Sequence, residues 1–382
     1  MPPVDLAVIG AGYWGPNLVR TFLEIPDVRL VAVADRDEAR LEHVRTRHPQ
    51  IERLVTDHRA LFDIGLDAVV VATPPETHFD IVKDCLEHGL DVLVEKPLTT
   101  DPALGEELVA LAAARGRILM VGHIGAYNRA VTALKEIVDS GELGEILYVD
   151  AVRAGLGLFH PSLNVIWDLG PHDVAILLHV LGEAPDSVNT RGVACVQRSV
   201  EDVAYMTMTF PSGVLAHMRM SWLDPFKSRR ITVVGSRKMV VYDDLESHEK
   251  IKIYDKSVNA VRETETFGDF QFAYHYGSVV SPYIPLEEPL RLEAMHFVAC
   301  VVDRATPLTD GNNGVQVVRV IDAAQRSLKA NGQPVAIDAG PPAGTIQLTD
   351  AVWIEDAAPD GGELVQLTME PAEAPQLPAI DA

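Results

Sequence analysis

The chain has 382 residues, 47% of them hydrophobic, and sets 32 Lys and Arg against 55 Asp and Glu for a formal net charge of −23. So acidic a protein lacks the basic surface that duplex DNA, RNA or anionic lipid would need, and none of these is expected as a partner. The apolar content supports about two or three domains, no apolar run approaches the roughly 18–20 residues of a spanning helix, and no basic-then-apolar leader opens the chain, so a soluble cytoplasmic protein is expected.

In the first third, short apolar runs at Leu6–Ile9, Arg29–Ala34, Ala68–Ala72, Val92–Val94 and Ile118–Val121 alternate with segments of helical spacing. This is the rhythm of βαβ units and a parallel sheet. Directly after the first run comes Gly10-Ala11-Gly12-Tyr13-Trp14-Gly15, followed by a helical stretch from about Asn17 to Glu24. Gly10 allows a tight turn, Gly12 lets backbone N–H groups approach a pyrophosphate, and Gly15 lets helix and strand pack closely. Asp35 ends the second run, 20 residues past Gly15. A carboxylate there accepts hydrogen bonds from adenosine ribose hydroxyls and repels a 2′-phosphate, which favours NAD. Arg36 beside it could pair with such a phosphate and leaves NADP open. The bland reading is a strand turn with incidental glycines. Thr73-Pro74-Pro75-Glu76-Thr77-His78 and Glu95-Lys96-Pro97 follow the third and fourth of these runs, at strand carboxyl ends where open α/β sheets bind ligands. Proline restricts the backbone of Lys96, so this lysine is either a site residue or a strand-end cation paired with Glu95.

From about Tyr148 the runs Ile146–Ala151, Val203–Phe210, Gly213–Met220, Ile231–Val234 and Met239–Tyr242 crowd together, with Pro211-Ser212-Gly213 as a turn signal. Hairpins in an antiparallel sheet are expected. Helices are expected over Pro171–Leu181, stopped by Gly182, and over Gly314–Lys329, with Gly332 beyond. Ahead of the first lies Asn164-Val165-Ile166-Trp167-Asp168-Leu169-Gly170-Pro171-His172-Asp173. If the chain is already helical at Asp168, i, i+4 spacing puts Asp168 and His172 on one face, where the carboxylate could hold the imidazole as a general base. Otherwise Asp168 caps the helix and His172 is an ordinary first-turn histidine. No local third ligand completes a metal site, so no metal is expected. The densest cationic cluster, Lys227-Ser228-Arg229-Arg230, could anchor a diphosphate or merely line a solvated hairpin entrance; Arg153, His160 and Asn164 are further substrate candidates.

Cys85, Cys195 and Cys300 are odd in number and widely spaced, so no disulfide framework is indicated and all three are read as buried thiols. Beyond Lys329 there is no Lys or Arg, and 341–382 reads as a mobile acidic tail in which Ala351-Val352-Trp353-Ile354 could dock as a strand. The expected organisation is a dinucleotide-binding domain over 1–123, a second α/β domain over 124–340, and this tail.

Taken together, the glycine loop, Ala72-Thr73-Pro74-Pro75-Glu76-Thr77-His78, Glu95-Lys96-Pro97 and Trp167-Asp168-Leu169-Gly170-Pro171-His172-Asp173 resemble the Gfo/Idh/MocA oxidoreductases, over roughly Val4 to Gly340. The resemblance implies a Rossmann domain followed by an α/β domain with an open, mostly antiparallel sheet, which often joins subunits into homodimers or homotetramers. It also implies NAD(P)-dependent chemistry on sugars, cyclitols or nucleotide sugars, with Lys96 near the nicotinamide and Asp168 and His172 completing the polar site. The form of these motifs is most similar to members acting on nucleotide-linked sugars, notably 3-dehydrogenases. In the chemistry expected here, His172 takes the hydroxyl proton, Lys96 stabilises the alkoxide and Asp168 orients the pair. A cyclitol dehydrogenase is the main alternative; a redox-neutral NAD-dependent glycosidase and a non-catalytic NAD sensor rank below it.

Overall fold

Strands that are apolar on both faces persist only between two helical layers, and the first sheet is built from such strands. The computed structural model describes residues 2–160, 163–261 and 271–338. Within them β1 (Val4–Ile9), β2 (Val28–Ala34), β3 (Arg53–Val55), β4 (Ala68–Val71), β5 (Asp91–Glu95) and β6 (Leu119–Gly122) form a six-stranded sheet in the order β3-β2-β1-β4-β5-β6. Every pairing is parallel. The crossovers carry α1 (Gly15–Leu23), α2 (Glu38–Arg47), α3 (His78–Glu87) and α4 (Pro102–Arg115). Strand order reverses between β1 and β4, which opens a crevice at their carboxyl ends. The expected runs are all present; the short β3 is an addition that the apolar pattern did not mark.

After a short 3₁₀ turn, Ile124–Tyr127, the chain forms α5 (Arg129–Asp139), β7 (Ile146–Ala154) and α6 (Val165–Leu181). Then follow β8 (Ser187–Val193), β9 (Val203–Thr209), β10 (Leu215–Ser221), β11 (Ser228–Gly235), β12 (Met239–Asp243), β13 (Ile251–Val261) and β14 (Gln271–Val280). The last elements are α7 (Pro289–Asp303), α8 (Gly311–Lys329) and β15 (Val335–Ala336). The second sheet runs β14-β13-β12-β11-β7-β10-β9-β8-β15. Hairpins dominate it as expected, but β7 and β10 pair in parallel, because the long connection through α6 returns the chain in the same direction.

One face of this sheet is packed by helices. Val149, Ala151, Met206, Met218, Ile231 and Val233 meet Val165, Val174 and Leu177 of α6 and Val317, Val320 and Ile321 of α8. Two late helices also serve the first domain. Leu290, Ala294, Phe297 and Val298 of α7 join Leu18, Phe22 and Met120. Val315 and Val318 of α8 join Leu98 and Val121 on the other side of the first sheet.

Three expectations need correction. Helix α6 begins at Val165, six residues before Pro171, because the Asn164 side chain accepts a hydrogen bond from Trp167 N and supplies the cap. Helix α8 begins at Gly311, capped by Asp310 through Asn313 N, rather than at Gly314. Cys195 is exposed, whereas Cys85 and Cys300 are buried. Cys195 lies in the turn after β8, where the buried Asp202 carboxylate collects the backbone N–H groups of Cys195 and Val196 and leaves the thiol outside. The acidic tail and its Ala351–Ile354 segment lie outside the described residues.

Candidate active site

The glycine loop follows from steric necessity. Gly10 has φ +103, and a Cβ there would stand 2.5 Å from the Ala72 carbonyl oxygen; one on Gly15 would stand 2.1 Å from the Gly10 oxygen. Neither position tolerates a side chain. At Gly12 the nearest atom to a Cβ is the Arg40 guanidinium, 3.4 Å away. The residue before α1, Trp14, gives no side-chain cap, so no side chain competes with an anion at this helix start, although Pro16 has no N–H and Asn17 N is already spent on the Trp14 oxygen at 2.9 Å.

Asp35 is nearly buried at the tip of β2, its side chain 7% exposed. Its carboxylate accepts from Ala11 N at 2.7 Å and Asp37 N at 2.8 Å, and Arg40 stands 3.5 Å away. The carboxylate therefore both braces the glycine loop and faces the crevice. The crevice, about 1540 Å³, is lined by Gly10, Gly12, Tyr13, Trp14, Asp35, Arg36, Arg40, Thr73, Pro74, Thr77 and His160 among others. Open main-chain amides, a glycine cradle and a ribose-side carboxylate fit a dinucleotide. Arg40 is a crevice residue that sequence reasoning missed; its place on α2, five residues past Asp35, was the available signal.

Asp35→Ala is expected to weaken NAD binding roughly 10- to 100-fold, the weight of hydrogen bonds to a charged group. NADP binding should fall less, because Arg36 and Arg40 then face the 2′-phosphate without a competing carboxylate. Titration calorimetry with both dinucleotides checks this, and equal losses would remove Asp35 as the selector.

His78 and Glu95 act from behind the loops. His78 is fully buried and its ring nitrogens lie 2.8 Å from the Thr73 and Pro97 carbonyl oxygens. Burial outweighs these two acceptors and lowers its pKa, so a neutral ring ties one carbonyl at a time. Thr77 Oγ1 bonds Thr73 Oγ1 at 2.8 Å and the Pro74 oxygen at 2.7 Å, holding the same loop. The Glu95 carboxyl takes a hydrogen bond from Trp14, and burial raises its pKa to about 7.

Lys96 does not pair with Glu95 through its ammonium. Its Nζ donates to the main-chain oxygen of Asp168 at 3.1 Å and lies 4.0 Å from Asp168 Oδ1. Pro171, inside α6, has no N–H for the Trp167 carbonyl, which loosens the helix where Lys96 approaches it. Burial lowers the Lys96 pKa, against the opposing charges of Asp168 and Glu95. The helix does place Asp168 and His172 one turn apart. The Asp168 carboxylate, however, accepts from Trp222 Nε1 at 2.9 Å, and no hydrogen bond joins it to His172 among the described residues. Trp222, at the end of β10, was not anticipated: a tryptophan following an apolar strand reads as core, which it also is.

His172 is partly exposed. Desolvation first, then the charges of Lys96 and Arg153, hold its pKa well below the usual histidine range. The neutral imidazole is the form that can accept a proton.

The substrate-side candidates separate. His160 lines the crevice and its ring centroid lies 5.8 Å from that of Trp222, linking the crevice to Asp168. Asn164 is occupied as the α6 cap and by bonds to Glu201 and Gln325. Arg153 forms two 2.7 Å bonds to Asp173 in a largely buried pair. Arg229 is the register partner of Arg153 on the helix-covered face, 3.3 Å from Asp244. Arg230 points to the opposite face by strand alternation, so the two arginines cannot share one ligand within a chain. No group of three or more His, Cys, Asp or Glu among the described residues could hold a metal, and no described helix is long and apolar enough to cross a membrane.

Comparison with known proteins identifies the family. Residues 4–123 match the model of the oxidoreductase family with an NAD-binding Rossmann fold, and residues 131–241 match the GFO/IDH/MocA C-terminal domain. The scyllo-inositol 2-dehydrogenase (NAD(+)) of Bacillus subtilis is 28% identical over 351 residues, covering 88% of this chain and 96% of that one. The UDP-N-acetylglucosamine 3-dehydrogenase of Acidithiobacillus ferrooxidans is 28% identical over 262 residues, 66% of this chain and 78% of that one. A solved structure of the latter superposes with a TM-score of 0.72 at 24% identity, covering 87% of this chain and 99% of that one, and shows the shared fold. With both domain models matched in order along one chain and the cofactor crevice in place, the protein belongs to the Gfo/Idh/MocA family of NAD-dependent oxidoreductases acting on sugar or cyclitol hydroxyls.

Proposed function

We propose that the protein moves a hydride between NAD and C3 of a nucleotide-linked hexose, with Lys96, Asp168 and His172 as its catalytic residues. The observation that carries the catalytic part is the Lys96 ammonium held 3.1 Å from the Asp168 carbonyl, on the helix that also bears His172. The nicotinamide, when bound, accepts or returns the hydride. His172, kept neutral by desolvation and by the charges of Lys96 and Arg153, takes the carbinol hydroxyl proton. Lys96 directs positive charge at the oxygen where negative charge develops, which stabilises the transition state more than the ground state. Asp168, fixed by Trp222, holds Lys96 in place. In the reverse direction the same groups protonate a ketone.

The nucleotide part rests on the similarity to the UDP-N-acetylglucosamine 3-dehydrogenase and on Arg229, half-exposed on the helix-covered face and held by a single carboxylate contact. A cyclitol substrate is favoured by a different observation: Arg153 is already neutralised by Asp173, which leaves little positive charge for a diphosphate. Nicotinamide reduction with NAD across UDP-N-acetylglucosamine, its uronate, TDP-glucose, free glucose and myo-inositol separates the two. Reduction by a nucleotide sugar alone supports the lead reading, and reduction by inositol alone replaces it. Under the lead reading Arg229→Ala raises KM for the nucleotide sugar about 10- to 100-fold; an unchanged KM would exclude Arg229 as its anchor. Self-association through the outer face of the second sheet, where Tyr148, Tyr205 and Leu215 are exposed, belongs to the same proposal. A homodimer or homotetramer would bury this patch.

A further inference from the structure

His123 belongs to no role assigned so far, yet it occupies an unusual position. It follows β6 and is 1% exposed, and neither ring nitrogen finds a hydrogen-bond partner among the described residues. Buried polar groups are nearly always paired, so an orphaned imidazole calls for an explanation. The parallel ladder supplies one. Glu95 and Gly122 are register partners, and a Cβ on Gly122 would lie 3.3 Å from the Glu95 carboxyl, so both face the same side. Lys96 and His123 are the first residues beyond this last register pair, side by side where the two neighbouring strands end, and His123 N turns back onto the Val121 oxygen at 2.7 Å. The turn that His123 opens packs on α6 at His172: a Cβ on Gly125 would lie 3.9 Å from the His172 main-chain oxygen. His123 thus lies beside Lys96 at the strand ends, at the head of a turn that packs on the helix bearing His172. The Lys96 ammonium has three N–H donors, and the Asp168 carbonyl takes one of them at 3.1 Å.

We propose that His123 is a positioning residue for Lys96, its bare ring nitrogen accepting a second N–H from the ammonium and turning Lys96 from the Asp168 carbonyl toward the reacting oxygen. This rests on the catalytic reading of Lys96 given above. A neutral acceptor suits the task. Burial, reinforced by the positive charge of Lys96, holds the His123 pKa down to about 3, so the ring keeps a free lone pair across the working range. A carboxylate in that place would bind the ammonium as an ion pair and hold it away from substrate. A neutral nitrogen orients it and lets it go.

The test has a spectroscopic arm and a kinetic arm. In [¹⁵N]histidine-labelled full-length protein, the His123 ring signals are those missing from His123→Phe, or from His123→Asn should the phenylalanine variant fail to fold. Addition of NAD should move the signal of the unprotonated nitrogen, and Lys96→Met should abolish that movement. A signal indifferent to Lys96→Met overturns the proposal. This arm needs no turnover, so a silent substrate panel and a failed assignment of His123 are told apart. In the kinetic arm His123→Phe should lower kcat about 10- to 100-fold, the weight of one hydrogen bond to a charged group, with KM for NAD within about twofold of wild type. His123→Asn, which keeps an acceptor oxygen, should recover part of the loss. Because the other ring nitrogen still lacks a partner and phenylalanine removes it, the variant should melt no lower than wild type. A kcat within about twofold of wild type in folded His123→Phe would also overturn the assignment.

Discussion

Replacing His172 by alanine is expected to lower kcat by about 10²- to 10⁴-fold, the range for loss of a positioned general base, with NAD affinity unchanged. The crevice proposed to hold the cofactor is lined by the loops that follow β1, β2 and β4, whereas His172 lies on α6, so loss of its imidazole leaves that lining in place. Lys96→Met should cost about 10²- to 10³-fold by removing charge stabilisation at the reacting oxygen. The pH dependence follows from the His172 environment. Desolvation and the charges of Lys96 and Arg153 depress its pKa, so the proton-accepting form persists below the ordinary histidine midpoint near 6.5. The acid limb of alcohol oxidation should therefore lie below pH 6.5. Initial rates from pH 5 to 9 check this; a limb centred at or above 6.5, or a folded His172→Ala variant with normal turnover, would remove His172 from the mechanism.

The second large effect is on stability. Asp173 and Arg153 meet through two 2.7 Å bonds, with side chains only 5% and 14% exposed. Asp173→Ala leaves a guanidinium that cannot shed its proton, buried without its partner, and should cost about 3–5 kcal/mol. That is a substantial share of the roughly 5–15 kcal/mol that holds a typical protein folded. Urea unfolding measures it. The double replacement Arg153→Met with Asp173→Leu should recover most of the loss, because two apolar side chains of similar volume avoid the desolvation that the pair suffers. Recovery would show that stability does not require the pair; Arg153 also contributes to lowering the pKa values of His172 and Lys96.

The sequence exposed the first domain well because its signals are local. Buried parallel strands are short apolar runs, and the loop at Gly10–Gly15 admits no other residue at Gly10 or Gly15. The second domain was only partly legible. In β13 Ile251 and Ile253 reach the core, but the following residues, Tyr254 to Ser257, and Tyr274 and Tyr276 of β14 offer no run of alternating apolar residues to mark the strands. Helix α7 carries its apolar row against the other domain, a partner that no local pattern names. In the site, Lys96, Asp168 and His172 could be picked out by residue type and spacing. Their actual bonds could not: Trp222 holds Asp168 across 54 residues of sequence, and Lys96 reaches a backbone oxygen 72 residues away. Opposite faces for Arg229 and Arg230 followed from period-two alternation once the strand was known to begin at Ser228.

Helix α8 places Val317, Val320 and Ile321 in the core under the second sheet and Val315 and Val318 in the core of the first. One rigid rod thus has its side chains divided between two interiors, and neither interior can melt without stripping a face of the other. Whatever free energy a dinucleotide contributes to the first domain is therefore felt by the second, through thermodynamic linkage and without any change of shape. Helix α6, which bears His172, packs on α8, where a Cβ on Gly170 would stand 2.7 Å from Ile321. The same linkage therefore extends to α6, so that a dinucleotide bound in the first domain raises the cost of unfolding the helix that carries His172.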